Sequence, residues 1–132
     1  MKVTARRRDG FAHDVDIEGR HTIRVDEPGS AGGTDTGPSP TRLVAAGLAA
    51  CTAVTMEMYA ERKGWELGPV EVVADVAYDG HLPTAYEVTL RLPAGLSDEQ
   101  RQRLLRIAAK CPVHRVLSGE TPVTVSDHVE VL

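Results

Sequence analysis

Residues 37–64 read GPSPTRLVAAGLAACTAVTMEMYAERKG. Ser39 is a good N-cap, Pro40 suits the first helical position, where its missing N–H costs nothing, and Gly64 is the usual stop. The stretch therefore predicts one helix over residues 40–63. From Leu43 through Met56 it carries no charge and is apolar nearly all round, which predicts burial on most sides rather than along one stripe. Only its last turns, with Glu57, Glu61, Arg62 and Lys63, are expected to reach solvent. A chain of 132 residues has difficulty wrapping such a helix on every side, so a second copy is expected to cover part of it. The uncharged run is shorter than the ~18 apolar residues that mark a bilayer span, and it is mid-chain, unlike a signal peptide. No membrane partner is expected.

Ahead of the helix, residues 3–7, 11–17 and 21–25 read as three short strands. Asp9-Gly10 and Glu18-Gly19 separate them, and aspartate-glycine is a strong hairpin signal because glycine takes positive φ cheaply. The second strand alternates, with Phe11, His13, Val15 and Ile17 on one face and Ala12, Asp14 and Asp16 on the other. Residues 26–40, rich in glycine, proline, serine and threonine, are too long for a simple turn and predict a functional or mobile loop bordering a pocket.

Behind the helix, residues 70–78 and 86–92 read as two strands joined across Asp79-Gly80. Ser97 to Gln100 has the spacing of a capping box. It opens an amphipathic helix with Leu104, Leu105, Ile107 and Ala108 inward and Arg101, Arg103 and Arg106 outward. Cys111-Pro112 breaks that helix and starts another over residues 112–117, ended by Ser118-Gly119. Residues 123–131 alternate through Val123, Val125, Val129 and Val131 and predict a closing strand. Strands grouped before and after the helices favour an α+β domain, one for the whole chain, residues 1–132, with antiparallel sheets around a long buried helix.

The net charge of −4 disfavours general nucleic-acid binding. Two cysteines with no export signal point to a reducing compartment, hence the cytoplasm, where thiols are free or form transient disulfides. Cys51, inside the apolar helix, reads on its own as an inert core thiol. Cys111 stands at a helix N-terminal edge, where free N–H groups stabilise a thiolate, so packing and reactive readings are equally open. The two are too far apart for a CxxC motif and too few for a zinc site. His114, in Cys-Pro-Val-His, is the one histidine near either cysteine in sequence. No phosphate loop, serine-hydrolase elbow or metalloprotease motif occurs, and no metal or tightly bound cofactor is expected.

Gly37-Pro38-Ser39-Pro40, Leu43 and Ala45-Ala46-Gly47-Leu48-Ala49-Ala50-Cys51-Thr52 are similar to the central-helix signature of the OsmC/Ohr proteins. Cys111-Pro112-Val113-His114-Arg115 resembles their second-cysteine segment, and Arg8-Asp9-Gly10 matches the place of an arginine used by the Ohr branch. The resemblance implies an intertwined homodimer that reduces organic hydroperoxides or hydrogen peroxide in oxidative stress defence. It makes Cys51 the peroxidatic thiolate, Cys111 the resolving thiol and Arg8 the cation that favours the thiolate and holds the peroxide. A small dithiol or lipoyl-type reductant would reopen the Cys51–Cys111 disulfide. Thr41, Arg42 and His114 are expected at the substrate.

One position departs from the pattern. Ohr-type members carry a glutamate after the helix-start proline that orients the arginine, and here Thr41 and Arg42 occupy that stretch. Asp9, Glu57 or Asp35 could supply the carboxylate, or Arg42 could supply the positive charge. The departure also leaves a second reading open, a non-catalytic protein of the same fold holding a small apolar ligand in the dimer-interface pocket.

Overall fold

The computed structural model describes residues 1–132. Its elements are β1 (Val3–Asp9), β2 (Ala12–Ile17), β3 (His21–Val25), a short 3-10 turn (Gly29–Ala31), α1 (Pro40–Lys63), β4 (Glu71–Asp79), β5 (Leu82–Arg91), α2 (Asp98–Ala108) and α3 (Pro112–Leu117). This is the mixed α+β class expected. The chain gathers into two compact units, Met1–Ala46 with Val76–Ala85, and Gly47–Asp75 with Tyr86–Leu132.

In the first unit β1, β2 and β3 form an antiparallel meander. Its tight turns use the positive φ foreseen at Gly10 and Gly19. Ala5 faces Val15 and His13 faces Val25 across the ladders, so the apolar residues share one face. Phe11 is not in β2, as expected, but in the turn before it, more than half exposed. The register slips between Arg7 and Asp9, leaving Arg8 in a bulge, a device that re-aims a side chain.

Residues 26–40 are closely built rather than loose. The carboxylate of Asp26, only 1% exposed, accepts hydrogen bonds from the backbone N–H of Glu27, Thr34 and Thr36 and from both threonine hydroxyls. The Thr34 hydroxyl leads these donors in holding the carboxyl far below the usual carboxylate range. A Cβ at Gly33 would overlap the Glu27 carbonyl, so the loop doubles back there only because the residue is glycine.

α1 begins at Pro40 and ends at Gly64, whose φ is +70°, as expected. By length and average composition α1 does meet the requirement for a bilayer span, which corrects the expectation that nothing in the chain would. Residues 43–56 alone are too short to cross a bilayer, but the few charges flanking them leave the whole helix apolar on average. Soluble proteins' core helices pass the same test. Only Leu48, Thr52, Met56, Tyr59 and Ala60 of α1 are buried within one chain. They form a single stripe at helical spacing, and Val44, Val54 and Met58 remain exposed. In the final turns Glu57, Glu61, Arg62 and Lys63 are exposed, as expected, while Tyr59 and Ala60 on the opposite side belong to the core.

The second unit holds that core. Met56, Tyr59, Ala60, Leu67, Leu96, Leu104 and Ala108 pack together, joined by Trp65, Leu90 and Ile107. Complete burial of a leucine such as Leu104 is worth ~2–3 kcal/mol of apolar transfer. Both halves of the Ser97–Gln100 capping box are formed. Leu105 does not turn inward as expected and is 53% exposed. The expected closing strand over residues 123–131 is absent, and its valines lie exposed. Alternating valines supply a face, but a strand also needs a neighbouring edge for its N–H and C=O groups, and no strand of this chain pairs with that segment.

Candidate functional site

Cys51 and Cys111, far apart in sequence, both belong to the second unit, where Cys51 is near enough to influence the Cys111 thiol. Neither is in a disulfide. Cys51 is half-buried on α1 and Cys111 wholly buried at the N-cap of α3. Next to Cys51, the Thr52 hydroxyl donates to the Leu48 carbonyl at 2.8 Å, so its polarity is spent within the helix.

The Cys-Pro break explains how Cys111 is aimed. Pro112 ends the α2 ladder and occupies N1 of α3. The N–H of Cys111 donates to the Ala108 carbonyl at 3.2 Å, and its own carbonyl accepts from the Arg115 N–H at 3.0 Å. Its Sγ accepts from the His114 N–H at 3.5 Å. Burial pushes the Cys111 thiol up, and the adjacent Cys51 adds to the push, against a smaller opposing effect of the His114 and Val113 N–H groups. Cys111 therefore keeps its proton more firmly than an ordinary cysteine. Two neighbouring thiols of unequal burial can do thiol–disulfide chemistry, with the accessible sulfur attacking first and the buried one second.

His114 lines a cavity of about 120 Å³ with Thr52, Val88, Leu90, Leu105, Ala108 and Ala109. The structure thus brings Cys51, Cys111 and His114 into one unit. The other expected site residues belong to the first unit. Arg8 extends from its bulge to Asp14, Nη1 to Oδ2 at 2.8 Å, and Asp14 also accepts from Arg24 at 2.7 Å. The two guanidinium hydrogen bonds, Arg8's first, lower the Asp14 carboxyl below its ordinary value. Asp14 is therefore the carboxylate that holds Arg8, in place of Asp9, Glu57 or Asp35. Its signal lay in the ladder register, which sets Asp14 between Arg6 and Arg24 on the polar face of the sheet.

Thr41 and Arg42 line a cavity of about 590 Å³ with Glu27, Ser30, Tyr78 and His81, and the Thr41 and Tyr78 hydroxyls are 3.4 Å apart. The loop before α1 contributes Glu27, Pro28, Ser30 and Ser39 to this wall, and neither cysteine lines it. A second, mostly apolar groove of about 500 Å³ runs over Ala5, Phe11, His13, Val15, Val25 and Leu43. No three His, Cys, Asp or Glu side chains converge to hold a metal ion.

No curated protein matches the chain by sequence. Among solved structures it is similar to the OsmC like protein from Mycoplasma pneumoniae, at TM-score 0.77 and 17% identity over 89% of this chain and 86% of that one. It is similar to the organic hydroperoxide resistance protein from Elizabethkingia anophelis, at TM-score 0.66 and 25% identity over 90% and 89%. The organic hydroperoxide resistance protein OsmC from Legionella pneumophila gives TM-score 0.64 and 22% identity over 90% of each. A sequence profile of the OsmC-like proteins matches residues 33–126, most of the chain and both cysteine segments. With that match and the shared fold, the chain belongs to the OsmC-like protein family.

Proposed function

We propose that this chain is a thiol peroxidase that reduces organic hydroperoxides, and hydrogen peroxide as well, in the cytoplasm. The family match over both cysteine segments supports the reading most strongly, together with the nearness of Cys51 to Cys111, which is close enough to add to the upward push on the buried thiol. The Cys51 thiolate attacks the distal peroxide oxygen, the O–O bond breaks, and the alkoxide takes a proton to leave as an alcohol. Cys51 is then a sulfenic acid. Cys111 attacks that sulfur, the S–O bond breaks, and water leaves as the disulfide forms. A small dithiol or lipoyl-type reductant reopens the bridge by exchange.

In this reading Arg8, held by Asp14, is the cation that favours the Cys51 thiolate and orients the peroxide, and Thr41 and Arg42 serve the substrate. The working form is a homodimer. Support comes from the uncovered apolar side of α1 and the exposed valines of residues 123–131, which a second copy would cover. The test is thiol titration after one equivalent of cumene hydroperoxide under anaerobic conditions. Both thiols of each chain should disappear together, and Cys51→Ser should abolish the loss. Thiols unchanged after prolonged exposure would sink the reading.

The apolar groove of about 500 Å³ favours one alternative, a binding protein for a small apolar ligand. That reading predicts a ligand retained in native mass spectrometry and unaffected by Cys51→Ser.

A further inference from the structure

Glu27 and Arg42 carry opposite charges on the wall of one cavity, of about 590 Å³. Neither is in an ion pair. The paired arginines are Arg8, Arg24, Arg91, Arg101 and Arg115, and none of them meets Glu27. Both residues are fixed at the backbone. The Glu27 N–H donates to the buried Asp26 carboxylate at 2.7 Å, and the Glu27 carbonyl accepts from the Asp35 N–H at 3.0 Å. Arg42 lies in the first turn of α1, where the Leu43 N–H donates to the Ser39 carbonyl at 3.0 Å. The N–H groups of Thr41 and Arg42 come before that bond and have no acceptor within the helix. The positive end of the helix dipole therefore adds to the guanidinium.

We propose that this cavity binds a small zwitterion of amino-acid or dipeptide size, its carboxylate at Arg42 and its ammonium at Glu27. A simple anion drawn to Arg42 is repelled by Glu27, and a simple cation meets the reverse. A neutral ligand strips water from two charges and returns nothing. Only a molecule carrying both charges satisfies both residues. The inference goes beyond the peroxidase reading and meets it only at Thr41 and Arg42, which an occupant would take from a peroxide.

The rest of the wall suits such a ligand. The Thr41 and Tyr78 hydroxyls, 3.4 Å apart, link the start of α1 to the end of β4 and add polar groups beside Arg42. His81 adds a ring that can donate or accept, while Phe11, Pro28 and Ala31 give an apolar surface for a side chain. The volume falls in the range of small-molecule sites, about 300–1,000 Å³.

The test is calorimetric titration of the reduced protein, with no peroxide present, against the common amino acids and their glycyl dipeptides. At least one should bind. Amidation of its carboxylate, or acetylation of its amine, should each weaken it by about 10-fold or more, the worth of a charge-assisted hydrogen bond. Arg42→Gln should weaken binding to a similar extent and then treat acid and amide alike, while still preferring the free amine. Glu27→Gln should do the converse, treating free and acetylated amine alike while still preferring the acid. A disturbed fold would not erase one preference and spare the other. Binding by no member of the panel, or a bound member indifferent to both blocking groups, overturns the assignment. So does either variant keeping both preferences. No thiol takes part in the titration, so a protein inert toward peroxide would sink the peroxidase reading and leave this result standing.

Discussion

Joining Cys51 to Cys111 closes a loop of about 60 residues, and its effect on stability can be worked out in advance. The chain-entropy treatment assigns ~3 kcal/mol to a 15-residue loop and ~4.7 kcal/mol to a 100-residue one, so this loop is worth ~4 kcal/mol. Unfolding releases ~2.1 cal/mol/K per residue, or ~0.28 kcal/mol/K for 132 residues. The oxidised chain should therefore melt ~15 °C above the reduced one. The gain survives only if the native geometry already suits the bond, because a bridge that dragged the start of α3 from its Ala108 hydrogen bond would cancel it. Circular dichroism melts of fully reduced and peroxide-treated protein read the difference, with Cys111→Ser as a control that should show none. An oxidised protein melting at or below the reduced one would refute the claim that the two sulfurs stand ready to bond. An equal shift in Cys111→Ser would do the same.

Asp26→Asn should lower the melting temperature at neutral pH and expose residues 26–40 to proteolysis, since an amide cannot accept all the bonds that converge on this carboxylate. The folded carboxyl sits below its unfolded value of about 4, so its contribution is complete above that pH and fades as acid is added. The gap between the variant and the native sequence should accordingly narrow below about pH 4, and a constant gap in acid melts would contradict the assignment. Leu104→Ala, at a position with no exposure, should cost ~2–5 kcal/mol in denaturant titration, while Leu105→Ala on the exposed side should cost far less. In reduced protein at neutral pH, iodoacetamide should label Cys51 well before Cys111, whose raised thiol should react appreciably only in alkaline solution; peptide mapping reads the order.

Most of the architecture was legible because its signals are local. Asp9-Gly10, Glu18-Gly19 and Asp79-Gly80 mark turns through glycine's tolerance of positive φ, and Ser97 with Gln100 forms a capping box from spacing alone. Cys-Pro marks the break between α2 and α3 because proline cannot continue a ladder. What escaped needs long-range partners. Residues 123–131 carry a strand pattern but pair with no strand of the same chain. Asp26 is one acid among many until the turn brings Thr34 and Thr36 onto it. Asp14 emerged as the holder of Arg8 only once the strand register was known, and the bulge that aims Arg8 leaves no mark in composition. The meeting of Cys51 with Cys111 followed from likeness to a family, since the spacing between them says nothing about contact. Leu105 shows the limit of helical periodicity, which gives the direction of a face but not its width.

The central claim is that one peroxide molecule oxidises these two sulfurs and joins them. Intact-mass measurement after one equivalent of an organic hydroperoxide tests it most directly, followed by peptide mapping without reductant. A chain lighter by two hydrogens with Cys51 linked to Cys111 is expected, and Cys111→Ser should be trapped one oxygen heavier at Cys51. An unchanged mass, or a bridge joining Cys111 to Cys111 of a second copy, would contradict it.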